Sequence, residues 1–419
     1  MKIGKQLLNN NKKIIENFSY LTIFQVFSLL SPLITYPYLI RVVGLENYGV
    51  VIFAQTMVTY FSLIINFGFN ISGPKDVAVC SNSPHLLSEY VSSIYVIKTL
   101  IWIACFVIYM ILIFTFSFFH DHLIIYTFAF FATISDVFFP IWFFQGIEKM
   151  KYITFINLFV RSLFIVAVFL FIKHKSDYIL IPLLNSIGAF VSGIIALYIV
   201  FKKEGVIYTR VPKEKLVALF KDAFALFISQ ISIQLYMNFN KIIVGSVLGM
   251  KEVTIYDLGE KIASLLKTPI LMFSQAVFPK ISREKSISVI NRVMFSVVFI
   301  VSVIYIGLFF TADWIVLFFT GIKIPMAITV VRIIGLSLIF VSFSIFLGGN
   351  RLIPFGFNKE YMFAMISNSL IYIFIIGILW IFKFINIYSV SITTVFVEAF
   401  CCVILYFINK KLNLLQSKN

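Results

Sequence analysis

Long apolar runs, each close to bilayer-crossing length, recur along this chain from near its start to near its end. About twelve can be marked: roughly 18–40, 48–69, 91–119, 122–144, 153–173, 178–201, 223–248, 253–279, 293–312, 326–347, 361–383 and 386–408. A spanning helix needs about 20 mostly apolar residues to cross the hydrocarbon core. Inside lipid every backbone polar group must be satisfied internally, which leaves helices or a closed barrel. Barrels show short alternating segments and a polar lumen, and these runs are long and continuous. Soluble domains are excluded by charge: only 12% of the 419 residues are charged and 61% are hydrophobic, whereas a soluble surface draws on about a quarter charged residues. The expectation is an all-α polytopic membrane protein. The seventh and eighth runs are the least apolar, and their ends are the least sharply marked.

Most connectors are short, which suits antiparallel neighbours. The longest polar segment, KKEGVIYTRVPKEK from Lys202 to Lys215, falls near the midpoint. It divides the chain into a first lobe (1–201, spans one to six), a cytoplasmic linker (202–222) and a second lobe (223–419, spans seven to twelve). The start, MKIGKQLLNNNKKIIEN, is basic and precedes a run of full spanning length with no small-residue cleavage site, so the first span is expected to stay uncleaved. Cys80, Cys105, Cys401 and Cys402 fit neither a disulfide framework nor a zinc site. No CxxC, P-loop, GxGxxG or HExxH occurs.

The net charge of +16 would suggest nucleic acid in a soluble protein. In a membrane protein, Lys and Arg mark the cytoplasmic side. With twelve spans and a cytoplasmic start, both termini face the cytoplasm. Of the 34 Lys and Arg, 22 then fall inside, Arg351 and the midpoint cluster among them, and 6 outside. Lys98, Arg161, Lys241, Lys261, Lys267 and Arg332 remain within spans.

Transporters often carry internal repeats. VVGLENYGVVIFAQ (Val42 to Gln55) echoes SVLGMKEVTIYDLGE (Ser246 to Glu260) when Gly44 is set on Gly249. The same register pairs Gln25 with Gln230 and Gln55 with Glu260. With slippage, QGIEKMKY (Gln145 to Tyr152) matches FGFNKEY (Phe355 to Tyr361). These echoes point to a six-plus-six pseudo-repeat.

Polar residues form helical stripes: Gln55, Thr59, Ser62 and Asn66; Tyr256, Glu260, Ser264, Lys267 and Ser274; Gln25, Ser28, Pro32 and Thr35; Gln230, Gln234, Met237 and Lys241. Such faces turn toward protein or a wet cavity, and ordinary helix–helix bonding accounts for the neutral members equally well. A Lys or Arg at mid-span costs about 3 kcal/mol even on the lenient insertion scale. Arg161 and Lys267 lie deepest, whereas Lys241, Arg332 and Lys98 sit within snorkelling reach of an end. Against these cations stand Asp136, Asp257, Glu260 and Glu398. The resulting mildly cationic interior suits an anionic or phosphate-bearing substrate. Pro32, Pro37, Pro140, Pro182, Pro269 and Pro279 imply kinks. His120-Asp121-His122 lacks a third metal ligand and reads as a solvated loop, and most aromatics read as lipid-facing bulk, with Tyr36 and Trp142 as candidate sugar platforms.

At SPLITYPYLIRVVGLENYGVVIFAQ (Ser31 to Gln55), ISGPKDVA (Ile71 to Ala78), FFPIWFFQGIEKMKYITF (Phe138 to Phe155) and LGMKEVTIYDLGEKI (Leu248 to Ile262) the chain resembles Wzx-type O-antigen and polysaccharide repeat-unit flippases of the multidrug/oligosaccharidyl-lipid/polysaccharide (MOP) exporter superfamily. The resemblance implies about 12 transmembrane helices in two pseudo-symmetric six-helix lobes around a central cavity. It implies alternating access in the bacterial inner membrane, passing an undecaprenyl-diphosphate-linked oligosaccharide from the cytoplasmic to the periplasmic leaflet. No covalent chemistry and no cofactor are implied. Expected partners are the lipid-linked sugar, membrane lipids, and a polysaccharide polymerase and chain-length regulator acting downstream, with no nucleic acid. Arg161, Lys267, Lys241, Arg332 and Lys98 are the candidate cavity cations; Gln25, Gln55, Thr59, Ser62, Gln230 and Gln234 are candidate sugar contacts. Coupling to an H⁺ or Na⁺ gradient is open, with Glu260, Asp136 and Glu398 as candidate titrating groups. Two alternatives compete. A drug antiporter of the same superfamily would depend on buried carboxylates in the first lobe, where Asp136 is the only clear acid. A membrane polymerase or glycosyltransferase would need a catalytic cluster in a sizeable external loop, and the external loops are short.

Overall fold

The computed structural model describes residues 2–415, although the side chains of residues 2–15, 18, 225, 229 and 232–237 lie outside the described set. The described chain is 88% helical and has no strand. Its helices are α1 (Lys2–Val43), α2 (Leu45–Asn66), α3 (Phe69–Cys80), α4 (Pro84–Thr115), α5 (Leu123–Phe131), α6 (Ile134–Phe138), α7 (Ile141–Gly146), α8 (Met150–Phe171), α9 (Leu180–Tyr198), α10 (Lys213–Val247), α11 (Met250–Glu284), α12 (Ile287–Thr320), α13 (Pro325–Ser344), α14 (Asn358–Ile381) and α15 (Ile387–Lys411). Among the described residues, eleven segments are long and apolar enough to cross a membrane. The expected seventh run falls within α10, part of which lies outside the described side chains. Large apolar residues such as Phe310 (73%), Trp314 (70%) and Ile381 (74%) are exposed, a surface that water would not tolerate on this scale. The chain is a multi-pass helical membrane protein.

Two compact units divide at Ile231–Ser232, inside α10. In the first, α1 packs on α2 and α8, α2 on α4 and α5, α3 on α4 and α7, and α9 on α5, α6 and α8. Its core gathers Val91, Ile94, Trp142, Phe143, Phe144 and Val200. Tyr36 and Trp142, the candidate sugar platforms, are each 1% exposed. Tyr36 stacks edge-on against Tyr48, and Trp142 against Tyr90, so both rings are core. In the second unit α13 is the hub, packing on α11, α12 and α15, while α14 packs on α15. Close approach there needs small residues: a Cβ on Gly335 would stand 2.6 Å from Leu308, and one on Gly259 2.9 Å from Val330.

The expected fourth span is not one helix but three pieces, α5 to α7. Pro140 lacks an N–H and pushes Phe139 to extended φ and ψ of −102° and 90°. One turn earlier the Thr133 hydroxyl donates to the Phe130 carbonyl at 2.7 Å, and Ser135 to Ala132 at 3.0 Å. Hydroxyls that bond to their own backbone carbonyls compete with helix propagation. Asp136 sits in the short piece between these breaks.

Both sequence echoes have a backbone counterpart. Gly44 and Gly249 begin α2 and α11 at φ +86° and +129°, conformations that side chains resist. At the second echo, Lys149 N–H donates to Phe144 and Glu148 to Gln145; Phe357 donates to Leu352 and Gly356 to Ile353. Each is the paired 6→1 and 5→2 helix ending that a left-handed residue permits. That residue is Glu148 (φ +56°) in one half and Gly356 (φ +89°) in the other.

The midpoint segment 204–212 is fastened to the first unit. Ile207 and Thr209 N–H groups donate to Ser88 and Ser92 hydroxyls on α4 at 3.1 and 3.0 Å. Glu204 pairs with Lys149 at 2.5 Å, and Lys215 with Glu89 at 2.6 Å.

Candidate functional site

Among the described residues, each unit gathers buried polar side chains around a carboxylate within the spans. In the first, the break in the fourth span delivers Asp136 to α2. Ser62 Oγ donates to Asp136 Oδ2 at 2.5 Å and Asn66 Nδ2 to Asp136 Oδ1 at 2.9 Å. Lys98 Nζ, on α4, donates to Asn66 Oδ1 at 2.8 Å. Lys98 is 1% exposed, so it points inward rather than snorkelling, and its charge is met by Asp136 through Asn66. The helical stripe on α2 therefore divides. Ser62 and Asn66 belong to this cluster, whereas Gln55 and Thr59 are exposed, with the Thr59 hydroxyl bonded to its own helix at Gln55 O.

In the second unit Lys241 Nζ, on α10, lies 2.8 Å from Asp257 Oδ1 and 3.0 Å from Glu260 Oε2. Lys261 reaches Asp257 Oδ2 at 3.7 Å. Two acids and two bases thus cancel. Next to Lys241, Asn240 donates to Tyr256 at 2.7 Å and to Thr394 at 3.0 Å, and it accepts from Tyr372 at 2.7 Å. The sequence singled out the charged members of this group; Asn240, Tyr372 and Thr394 join it from three helices whose proximity no local spacing reveals.

The other candidate residues separate by what meets their charge. Arg332 donates to Asp313 at 2.7 Å and to the Phe309 carbonyl at 2.9 Å, and it lies over the Phe309 ring. Arg161, midway along α8, stands over the Phe24 ring of α1 with its guanidinium carbon 5.5 Å from the centroid. Lys267, midway along α11, is near enough to Glu398 on α15 to interact with its charge. Among the described residues, neither Arg161 nor Lys267 has an ion pair or a hydrogen bond. Gln25 and Gln230 are half-buried, and Gln234 lies outside the described side chains, as does Met237. The His120-Asp121-His122 turn bonds locally, His120 to the Phe114 carbonyl and His122 to Tyr178. All four cysteines are free.

One cation was misplaced by its sequence position. Arg351, counted with the interface-marking set, is 0% exposed. The helix of α13 runs on as a π-helix over Ile345–Leu352, and the wider turn carries Arg351 into the unit. Only an interrupted hydrophobic run marked this stretch in the sequence.

These elements define an all-helical, multi-pass membrane fold, and comparison with known proteins agrees. In the inward-facing conformation, a MATE-family multidrug resistance transporter of the MOP superfamily superimposes with a TM-score of 0.74 at 13% identity, over 96% of this chain and 100% of the other. The lipid II flippase MurJ, inward closed, gives 0.72 at 16% identity, over 94% and 87%. In sequence, a "Putative O-antigen transporter" of Escherichia coli (strain K12) is 30% identical over 297 residues, 68% of each chain. A protein of the same description from Shigella dysenteriae is 24% identical over 257 residues, 61% of this chain and 64% of the other. The polysaccharide biosynthesis protein family matches residues 14–285. The chain belongs to that family, as its resemblance to the Wzx-type flippases implied.

Proposed function

We propose that this protein is a flippase that carries an undecaprenyl-diphosphate-linked oligosaccharide repeat unit, of O-antigen or a similar surface polysaccharide, from the cytoplasmic to the periplasmic leaflet of the bacterial inner membrane by alternating access. The observation that supports the reading is that Arg161 and Lys267, each midway along its helix, have no ion pair or hydrogen bond among the described residues. Of the six within the spans, Lys98, Lys241, Lys261 and Arg332 have partners that meet their charge. Arg161, and Lys267 with only the Glu398 charge acting on it, are each left able to meet a ligand, and phosphate oxygens are groups that arginine and lysine bind well at low dielectric. The family and the O-antigen transporter description of its relatives support the same substrate class. Gln25, Gln55, Thr59, Gln230 and Gln234 offer amide and hydroxyl contacts for sugars. Moving a lipid-linked sugar makes and breaks no covalent bond, so the residues bind and orient rather than catalyse.

Asp136, Glu260 and Glu398 are the carboxylates through which an ion gradient would act, each beside a cation whose pairing protonation would change. Flux unaffected by both the proton and the sodium gradient would remove that coupling. Polymerisation then falls to separate proteins on the periplasmic side. The binding reading is tested by complementation in cells lacking their own flippase. Arg161→Gln, at normal membrane levels, loses surface polysaccharide; full activity would take Arg161 out of the site.

A further inference from the structure

Arg351 presents a different problem from the transport cations. Its guanidinium is fully buried at 0% exposure. Its Nη2 donates to Asn291 Oδ1, a neutral acceptor on α12. Among the described residues Nε and Nη1 are buried without a partner, and so is Nδ2 of the adjacent Asn350, whose Oδ1 accepts from Ser274 at 3.0 Å. Among the described residues no acidic side chain forms an ion pair with Arg351. The surroundings are apolar: Phe346, Leu347, Leu352, Leu405 and Met294 form the core cluster around this π-helical stretch.

A guanidinium in such a place is among the most costly groups a protein can bury, unless an anion compensates it. Water would meet the free N–H groups but would leave the charge uncancelled. The three unpartnered atoms are all donors, so they call for an acceptor and not for another donor. Asn291, for its part, is fixed by donating its own Nδ2 to the Leu415 carbonyl at 3.0 Å, which aims its Oδ1 at Arg351 and leaves the other edge of the fork free.

We propose that Arg351 is the centre of a buried site for a small inorganic anion, chloride under physiological conditions, with Nε and Nη1 as its donors. The complete burial favours a monatomic ion over a phosphate, whose four oxygens would need more room and more donors. The site is independent of the substrate reading, since it uses none of the residues assigned to the lipid-linked sugar.

The test is the thermal unfolding of the purified full chain in neutral detergent, in sodium chloride against sodium gluconate at matched ionic strength. The proposal expects a saturable rise of about 3–6 °C in chloride, reproduced by bromide and absent in R351Q. Bromide-soaked crystals of the unaltered chain should show an anomalous peak in contact with the Arg351 guanidinium, which keeps the test valid if R351Q fails to fold. Equal unfolding temperatures in the two salts, a halide shift retained by R351Q, or no bromide peak would each overturn it. A shift produced by inorganic phosphate and not by chloride would overturn the assignment to a halide.

Discussion

Lys241 is held between two carboxylates, and removing it should damage the second unit more than any other single charge change. In Lys241→Met, Asp257 and Glu260 would face each other with their shared counter-ion gone. The three side chains are 15%, 6% and 21% exposed, so solvent screens them little. At 2.8 and 3.0 Å and an effective dielectric of about 20, each contact is worth roughly 6 kcal/mol before desolvation. Desolvation of the lysine offsets much of this, and stripping one member of such a buried group costs about 3–5 kcal/mol. A unit of this size loses about 2–4 °C per kcal/mol, so the expected fall in unfolding temperature is roughly 10 °C, read by scanning fluorimetry in detergent. Neutralising Glu260 as well, with Glu260→Gln, should recover most of the loss, because Asp257 then keeps Lys261 as its counter-ion and no second carboxylate faces it. A single variant within about 1 kcal/mol of the parent, or a Lys241→Met/Glu260→Gln double variant no better than the single, would refute the view that this lysine's charge is spent inside the protein.

Other substitutions separate the remaining roles. Arg332→Gln breaks a pair that is 32% and 37% exposed; it should cost about 1 kcal/mol or less and leave surface polysaccharide intact in complementation, unlike Arg161→Gln. Asp136→Asn weakens the acceptor of Ser62 and Asn66 and leaves Lys98 buried without its counter-charge; chemical unfolding should show a loss of about 3 kcal/mol. Gly249→Ala forces a Cβ into a backbone conformation at φ +129° and should cost about 1–3 kcal/mol, whereas Glu148→Gly, at the left-handed position its counterpart Gly356 already fills, should stabilise by roughly 1 kcal/mol.

The spans were legible because lipid forces one solution on an apolar run of this length, and the pseudo-repeat because Gly44 and Gly249 mark the same backbone need in both halves. Breaks within spans were harder to read. Pro140 marked one interruption, but the second arises from Thr133 and Ser135 bonding to backbone carbonyls, a choice that sequence spacing leaves open. Side-chain partners were less legible still. Lys98 and Asn66 lie on different helices, as do Lys241 and Asp257, and only packing decides that Lys98 turns inward when snorkelling would have been available. Arg351 shows the limit clearly: a cation near a span end marks an interface in most cases, and a π-helical turn reversed that reading. The two deepest cations in the sequence, Arg161 and Lys267, are the two that the fold leaves without an ion pair or hydrogen bond among the described residues.

The central claim is the proposal that Arg161 and Lys267 each take part in binding the diphosphate of a lipid-linked sugar during flipping. Its most direct test is transbilayer movement of a defined undecaprenyl-diphosphate-linked oligosaccharide in liposomes carrying the purified protein. The account predicts protein-dependent flipping that falls at least tenfold in Arg161→Gln and in Lys267→Gln, with both variants folded and reconstituted at parent levels. Flipping at the parent rate by either variant, or none by the parent protein, would contradict it.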